Sequence, residues 1–136
     1  PGDYPDTSKP RVFHVMPYRP DWATPNSQQT RQLCKVAGIA YIRGDFEIKR
    51  NIIQSIWQEI CTATHVLVDM TDYSENVLFE LGLADTLGRN VWVVGQPGTN
   101  ENLKRFPTIA KLRVHEYQLG KKTKKYEEVM RVFLEP

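Results

Sequence analysis

Short apolar runs alternate along this chain with segments whose apolar residues recur at helical spacing. The runs with the length of strands are Arg11–Met16, Ile39–Arg43, His65–Asp69, Asn90–Val94 and the weaker Arg113–Tyr117. The helical segments are Asn26–Ala37, Ile48–Ala63, Asn76–Leu87 and Lys124–Leu134. Strands that are apolar throughout indicate a parallel sheet with helices on both faces, and strand–helix alternation supplies the crossovers that such a sheet needs. The pattern therefore predicts an α/β three-layer sandwich with a mostly parallel sheet of about five strands.

The length and composition fit one ordinary globular domain. The chain has 136 residues, of which 40% are hydrophobic and 25% charged, and single domains peak at roughly 100–150 residues. Residues 1–10 are polar and proline-rich, so we expect a linker or the edge of an expressed segment there and the domain at residues 11–136. No stretch approaches the ~18 apolar residues of a membrane span, and no signal peptide opens the chain. These features predict a soluble, cytoplasmic protein with no membrane partner.

Charge and ligand-type residues argue against several classes of function. Lys and Arg number 18 against 16 Asp and Glu, and a net charge of +2 argues against a nucleic-acid partner. The basic cluster at 121–125 precedes an amphipathic run, which favours a solvated helix start over a phosphate-binding patch. Cys34 and Cys61 lie in separate helical segments without a CxxC pair, so we expect reduced thiols. No histidine has metal-ligand spacing to a cysteine or another histidine, and we expect neither a metal nor a cofactor.

Ligands of open parallel sheets bind beyond the carboxyl ends of the strands, and four of these ends carry distinctive residues. They read Met16-Pro17-Tyr18-Arg19, Arg43-Gly44-Asp45, Asp69-Met70-Thr71-Asp72 and Gly95-Gln96-Pro97-Gly98. Glycine, proline and aspartate also make turns, so the first, second and fourth ends fit a structural role equally well. The sequence has no glycine-rich dinucleotide or P-loop signature and no GxSxG elbow, which argues against dinucleotide oxidoreductases, P-loop enzymes and α/β-hydrolases.

Glu80 stands out in the helix after the third strand. At about 100° per residue, the residues that spread over one broad apolar arc are Val77, Leu78, Leu81, Ala84 and Leu87. Glu80 falls within this arc, where a carboxylate is costly unless it is paired or used. One use is to attack or stabilise an oxocarbenium-like sugar centre, as carboxylates do in glycoside cleavage. Pairing with Arg43, Arg19 or a helix-end amide explains the position equally well.

Three parts of the chain resemble the nucleoside 2-deoxyribosyltransferase-like family, which is related to TIR-like NAD-cleaving domains. Val12-Phe13-His14-Val15-Met16-Pro17-Tyr18 resembles the family's VFVxMPF opening, and Asn51–Ile53 with Trp57–Ile60 resembles its second helix. Val66–Thr71 with Asn76–Ala84 resembles its DLT…NVxYELGxA signature. The resemblance covers residues 11–117 and implies a flavodoxin-like, Rossmann-like sheet and cleavage of an N-glycosidic bond.

The resemblance also implies roles for individual residues. Glu80 falls on the family's nucleophilic glutamate, and Asp69 falls on its acidic residue at the end of the third strand. Asn76 and the Met16-Pro17-Tyr18 loop fall where the family lines its sugar and base pocket. The family's loop before the glutamate reads PD…G, whereas this chain has Asp72-Tyr73-Ser74-Glu75-Asn76. This departure argues against base exchange and leaves hydrolysis, or binding without turnover, open.

Our first hypothesis is therefore cleavage of the N-glycosidic bond of a nucleoside or nucleotide, with NAD as one candidate substrate. Glu80 acts as carboxylate nucleophile or oxocarbenium stabiliser, and Asp69 is the second catalytic residue. The predicted substrate-binding residues are Met16, Pro17, Tyr18, Asp45, Asp72, Asn76 and Gln96. Tyr18, Trp57 or Phe79 could face the base, although core packing is the commoner role of such aromatic residues.

Our second hypothesis is a nucleotide-sensing or self-associating TIR-like signalling module, as in a bacterial defence protein, whose pocket does not turn over. Phe79 and Leu83 lie outside the main apolar arc of the third helix. A helix that is apolar nearly all round is either buried or a partner surface. We therefore expect a homo-oligomer that associates through Phe79, Leu83 and Leu87.

Overall fold

A five-stranded, all-parallel sheet forms the centre of the fold. The computed structural model describes residues 9–17, 21–44, 52–72, 75–106, 112–118 and 123–135. The strands are β1 (Arg11–Val15), β2 (Ala40–Arg43), β3 (His65–Asp69), β4 (Val91–Gly95) and β5 (His115–Glu116). They lie in the order β2-β1-β3-β4-β5, and every neighbouring pair is parallel. This is the flavodoxin-like order, and it confirms the predicted α/β fold class.

Helices cover both faces of the sheet. They are α1 (Ala23–Val36), α2 (Ile52–Thr62), α3 (Glu75–Thr86), α4 (Thr99–Leu103) and α5 (Thr123–Leu134). On the side of α1 and α5, Cys34 and Met130 pack with Leu67 of β3. On the side of α2 and α3, Ile60 and Leu81 pack in one core with the β3 residues on either side of Leu67, which are Val66 and Val68. Successive residues of β3 thus enter opposite cores, which gives three layers. Within the described residues, no helix has the length and apolar character needed to cross a bilayer.

The first helix begins three residues before the predicted start at Asn26. Trp22 caps α1 through its backbone, and Pro25 lies in the first helical turn. The prediction placed the helix after this proline, but a first-turn N–H has no partner within the helix, so a proline is tolerated there. The helix ends at Val36, one residue before the predicted end at Ala37. Gly38 follows the Ala37 cap with a φ of 74°, the left-handed conformation that favours glycine after a helix.

Two other elements differ from the expectation by more than one residue. The fifth strand spans two residues instead of the predicted Arg113–Tyr117, and α4 was not predicted at all. Five residues are too few for an apolar pattern to repeat at helical spacing. α4 buries only one i,i+4 pair, Thr99 and Leu103. The second helix is described from Ile52, and its predicted start at Ile48 lies outside the described residues.

The outer surface of α3 is less apolar than its sequence predicts. Phe79 is 51% exposed, whereas Leu83 and Leu87 are partly buried and pack against the core between α3 and the sheet. The patch proposed for self-association is therefore narrower than expected, because the sheet and the neighbouring α2 cover more than one face of the helix.

Candidate functional site at the carboxyl edge of the sheet

Asp69 ends β3 as a fully buried carboxyl whose two oxygens both bond within the protein. Oδ1 accepts hydrogen bonds from the Thr71 backbone N–H at 3.0 Å and from the Thr71 hydroxyl at 2.6 Å. Oδ2 accepts one from the Tyr117 hydroxyl. Burial raises the pKa of Asp69 to about 6, and the bonds from Thr71 and Tyr117 oppose that rise. Asp69 therefore holds the edge together, and its predicted catalytic role stays a prediction.

The loop after β4 is tied to the same carboxylate through Thr71. The backbone N–H of Gln96 donates to the Thr71 hydroxyl at 2.9 Å. The Gln96 carbonyl in turn accepts from the hydroxyl of Thr99 at 2.6 Å, and a Cβ on the neighbouring Gly95 would lie 2.5 Å from the oxygen of that hydroxyl. Glycine is therefore needed at this strand end for packing. The side-chain nitrogen of Gln96 is buried and has no hydrogen-bond partner within the described residues.

Glu80 lies on the buried face of α3, as its position in the apolar arc predicts. The residue is 6% exposed, and Val77, Leu81 and Ala84 of the same helix enter the core. Its Oε2 is buried without a hydrogen-bond partner in the described part of the chain. Burial raises the pKa of Glu80 from 4.5 to about 7. The expected alternative of an ion pair with Arg43 is absent from the described residues, and Arg19 lies outside them.

Glu80 and Asp69 belong to opposite faces of the sheet. The ring of Tyr117, which binds Asp69, belongs to the core on the α1 and α5 side. Glu80 comes from α3 on the opposite face, and no hydrogen bond joins the two carboxyls among the described residues. Both oxygens of Asp69 thus accept hydrogen bonds from the protein, whereas Oε2 of Glu80 has no partner among the described residues.

Asp72 connects two loops at this edge. Its backbone φ is 67°, a left-handed conformation that aspartate tolerates better than most residues. Its side chain is exposed and accepts a hydrogen bond from the indole N–H of Trp22, with 3.1 Å between the Trp22 Nε1 and the Asp72 Oδ2. The bond joins the loop that leads into α1 to the loop that leads into α3. Trp22 was not among the predicted site residues.

Three other predicted binding residues, Met16, Pro17 and Asn76, lie directly after β1 or at the start of α3. Met16 is buried and Pro17 is partly exposed directly after β1, and Asn76 lies in the first turn of α3. Tyr18 and Asp45 lie outside the described residues. Their roles in binding remain predictions.

A buried polar group around His14 was missed by the sequence reasoning. His14 Nδ1 and the Tyr41 hydroxyl are hydrogen-bonded at 2.7 Å, and Ser27 bonds the same hydroxyl at 2.8 Å. Burial, with a smaller contribution from nearby Arg43, lowers the pKa of His14 to about 3. The imidazole is therefore neutral at physiological pH, and through Tyr41 it links β1 to Ser27 of α1. The spacing of polar residues in α1 could have indicated this group, because Asn26, Ser27 and Thr30 lie on one side of the helix and are all buried.

Two of the three candidate aromatic residues, Trp57 and Phe79, are about half exposed, and the third, Tyr18, lies outside the described residues. Trp57 is 46% exposed and Phe79 is 51% exposed, so neither is packed in the core. They belong to α2 and α3, which lie against each other. Contiguous exposed apolar patches mark contact surfaces, and the part of these two side chains in self-association stays a prediction.

Concave surfaces also lie away from the carboxyl edge. A groove of about 940 Å³ runs between α3 and β4, with Leu78, Leu81 and Val93 among its lining residues. A smaller groove of about 440 Å³ lies between α1 and α5. Neither is lined by Asp69, Asp72 or Glu80. Within the described residues, no three His, Cys, Asp or Glu side chains come together in a way that could hold a metal ion.

A scan against models of known protein families finds no match, and neither does a search of curated proteins.

Proposed function

We propose that this chain cleaves the N-glycosidic bond of a nucleoside or nucleotide. One observation carries the proposal: the Glu80 carboxyl is buried in α3, the helix that follows the carboxyl end of β3, and has an oxygen without a partner among the described residues. A buried, unpaired carboxyl is costly for stability, and groups with perturbed pKa values are typical of functional sites. The resemblance of residues 76–84 to a glycosidic-bond-cleaving family supports the same reading.

The chemistry requires Glu80 to be ionised when substrate is bound. With its pKa at about 7, the group is close to half ionised at neutral pH. Positive charge that develops at the anomeric carbon lowers this pKa, and the apolar surroundings strengthen the attraction between the two charges. Glu80 then either attacks the anomeric carbon or stabilises the oxocarbenium ion until water adds.

NAD suits this site better than a neutral nucleoside. When the bond between C1′ and the base nitrogen breaks, the base leaves with the electron pair. A neutral base then needs a proton, whereas the positively charged nicotinamide leaves as a neutral molecule without one. Both oxygens of Asp69 already accept hydrogen bonds from the protein, which argues against Asp69 as the proton donor.

The roles proposed for the other residues follow from their places at the edge. Asp72 is exposed and offers a carboxylate to sugar hydroxyls. Asp69 keeps the ends of β3, β4 and β5 in register by its bonds to Thr71 and Tyr117. Substrate contacts by Met16, Pro17, Tyr18, Asp45, Asn76 and Gln96 belong to the same proposal.

The test is incubation of the protein with NAD and with a panel of ribo- and deoxyribonucleosides, followed by chromatography for released base. Glu80→Gln should abolish release. Glu59→Gln is the matched control, because Glu59 is a partly buried carboxylate whose Oε2 lies 2.6 Å from Arg11 Nη2 at the opposite edge of the sheet. Equal release by the parent protein and by Glu80→Gln would disprove the proposal.

A second candidate function is a nucleotide-sensing, self-associating signalling module without turnover. The exposure of Phe79 and Trp57 on adjacent helices favours it. In this case a second copy of the chain covers the two aromatic side chains, and nucleotide binding at the carboxyl edge controls the association. Ligand-dependent association without any released base would favour this function over the first.

A further inference from the structure

We infer that the hydrogen bond between Trp22 and Asp72 is a latch that a ribose diol displaces, so that ribonucleotides are selected over 2′-deoxyribonucleotides. The inference rests on the proposed function, because it assigns the sugar class taken by the same site. It adds Trp22, which no sequence pattern indicated, to the residues that recognise the substrate.

The latch crosses two adjacent strands. Trp22 stands at the start of α1 in the connection from β1, and Asp72 follows β3 by three residues. Since β1 and β3 are paired neighbours, the bond passes over the ends of both. Glu80 lies five residues after the start of α3, which is about 8 Å along a helix. The inference places the ribosyl group between this carboxyl and the latch.

Hydrogen bonds of the neighbouring residue Thr71 hold the backbone at Asp72 in place. The preceding Thr71 is fixed by two hydrogen bonds to Asp69, at 3.0 and 2.6 Å. The φ of 67° at Asp72 then turns the chain toward α3. Its carboxylate consequently projects from an anchored loop and does not have to be ordered by the ligand, which lowers the entropic cost of binding.

The chemistry of the carboxylate determines which ligand can open the latch. An ionised carboxylate only accepts hydrogen bonds, so its ligand must donate them. Asp72 Oδ2 accepts from the Trp22 indole, and its Oδ1 has no partner within the described residues. A 2′,3′-diol offers two donors, and an acidic side chain binds ribose hydroxyls in the parallel sheets of dinucleotide-binding proteins. One hydroxyl binds the open oxygen, and the second must replace the indole N–H.

The exchange of partners is feasible because the bond is exposed to solvent. Exposed hydrogen bonds contribute little net stability, since water competes for both groups. A 2′-deoxyribose lacks one of the two donors and leaves the latch closed. Loss of one hydrogen bond to a charged acceptor weakens binding on the order of 10-fold, which is the discrimination that we expect.

The experiment follows the indole N–H signals by NMR in Glu80→Gln, which removes the charge of the proposed catalytic carboxyl. The chain has three tryptophans, and the signal that disappears in Trp22→Phe belongs to Trp22. Adenosine and NAD should shift this signal, and 2′-deoxyadenosine should bind on the order of 10-fold more weakly. Trp92, whose ring stacks on His115 with 3.9 Å between centroids, is the internal control and should not move. In Trp22→Phe, adenosine should bind roughly 3- to 10-fold more tightly, with 2′-deoxyadenosine unchanged.

The outcomes separate the latch from the proposed function. Binding that moves backbone signals while the Trp22 indole stays unmoved overturns the latch alone, and so does equal affinity for adenosine and 2′-deoxyadenosine. A shifted Trp22 signal, combined with base release by Glu80→Gln at the parent rate, supports the latch and overturns the proposed function. No shift of any signal with adenosine or NAD overturns the latch.

Discussion

Glu80→Gln should make the protein more stable at high pH and leave its stability unchanged at low pH. Burial raises the pKa of Glu80 from 4.5 to about 7, so the folded protein holds this proton more tightly than the unfolded chain. A protein that binds more protons when folded loses stability as the pH rises, here between 4.5 and about 7. A tenfold change in proton affinity corresponds to about 1.4 kcal/mol. The raised pKa of Glu80 therefore costs on the order of 3 kcal/mol of unfolding free energy at pH 8.

Glutamine keeps the shape of the side chain and has no ionised form, so the variant avoids this cost. Urea unfolding of the parent and the variant would be compared at pH 4 and at pH 8. The comparison cancels the opposite effect of His14, whose lowered pKa increases stability as the pH rises. We expect a difference near zero at pH 4. At pH 8 the variant should be more stable by about 3 kcal/mol, which corresponds to about 10 °C in Tm.

Two results would refute parts of this reasoning. A variant that is less stable than the parent at pH 8 would mean that Glu80 is held as an ion by a cation, since removal of one partner of a buried pair is strongly destabilising. Turnover measured on the same samples tests the chemistry, and loss of a positioned carboxylate should lower it by on the order of 10²–10⁴. A stabilised variant with full turnover would refute the catalytic role and leave the account of burial intact.

Three further substitutions test other parts of the structure. Phe79→Lys should abolish self-association in light scattering without a change in Tm, because the side chain is 51% exposed. A parent protein that is monomeric at high concentration would contradict this. Tyr117→Phe leaves a buried oxygen of Asp69 without its donor and should cost about 1–3 kcal/mol in urea unfolding; no loss would mean that water replaces the hydroxyl. Glu59→Gln removes the ion pair to Arg11 and should lower the free energy of unfolding by at most about 1 kcal/mol. Base release should be unchanged, and a large loss of release would show that the variant is not a valid control.

The order of strands and helices could be predicted because its signals are local. The run from His65 to Asp69 is apolar between turn residues, and its predicted bounds are those of β3. The burial of Glu80 followed from helical spacing alone, since the arc needs only the residues of one helix. The exceptions were also local in origin: the prediction started the first helix after Pro25, and α4 is too short to repeat the helical period.

The contacts of the candidate site could not be predicted because they join distant parts of the chain. Asp69 and Tyr117 are 48 residues apart in sequence, and Trp22 and Asp72 are 50 apart. No spacing rule relates such residues, and their meeting depends on which strands become neighbours. The sequence indicated that Asp69 reaches the carboxyl edge. Its Oδ1 is occupied locally by Thr71, but the occupation of Oδ2 by Tyr117 follows from the position of the chain after β5. The role of Trp22 has the same origin.

The shortness of β5 has a consequence for aggregation. This strand stands at one border of the sheet and pairs with β4 at only two positions, Val94 with His115 and Gly95 with Glu116. Unpaired backbone groups on a long, flat border strand are a template for the addition of further strands and for fibre growth. A two-residue strand offers too few such groups to hold an incoming chain. The β5 border is therefore a poor place for the sheet of one molecule to continue into the next, and any such extension would have to start at the four-residue strand β2 on the other border.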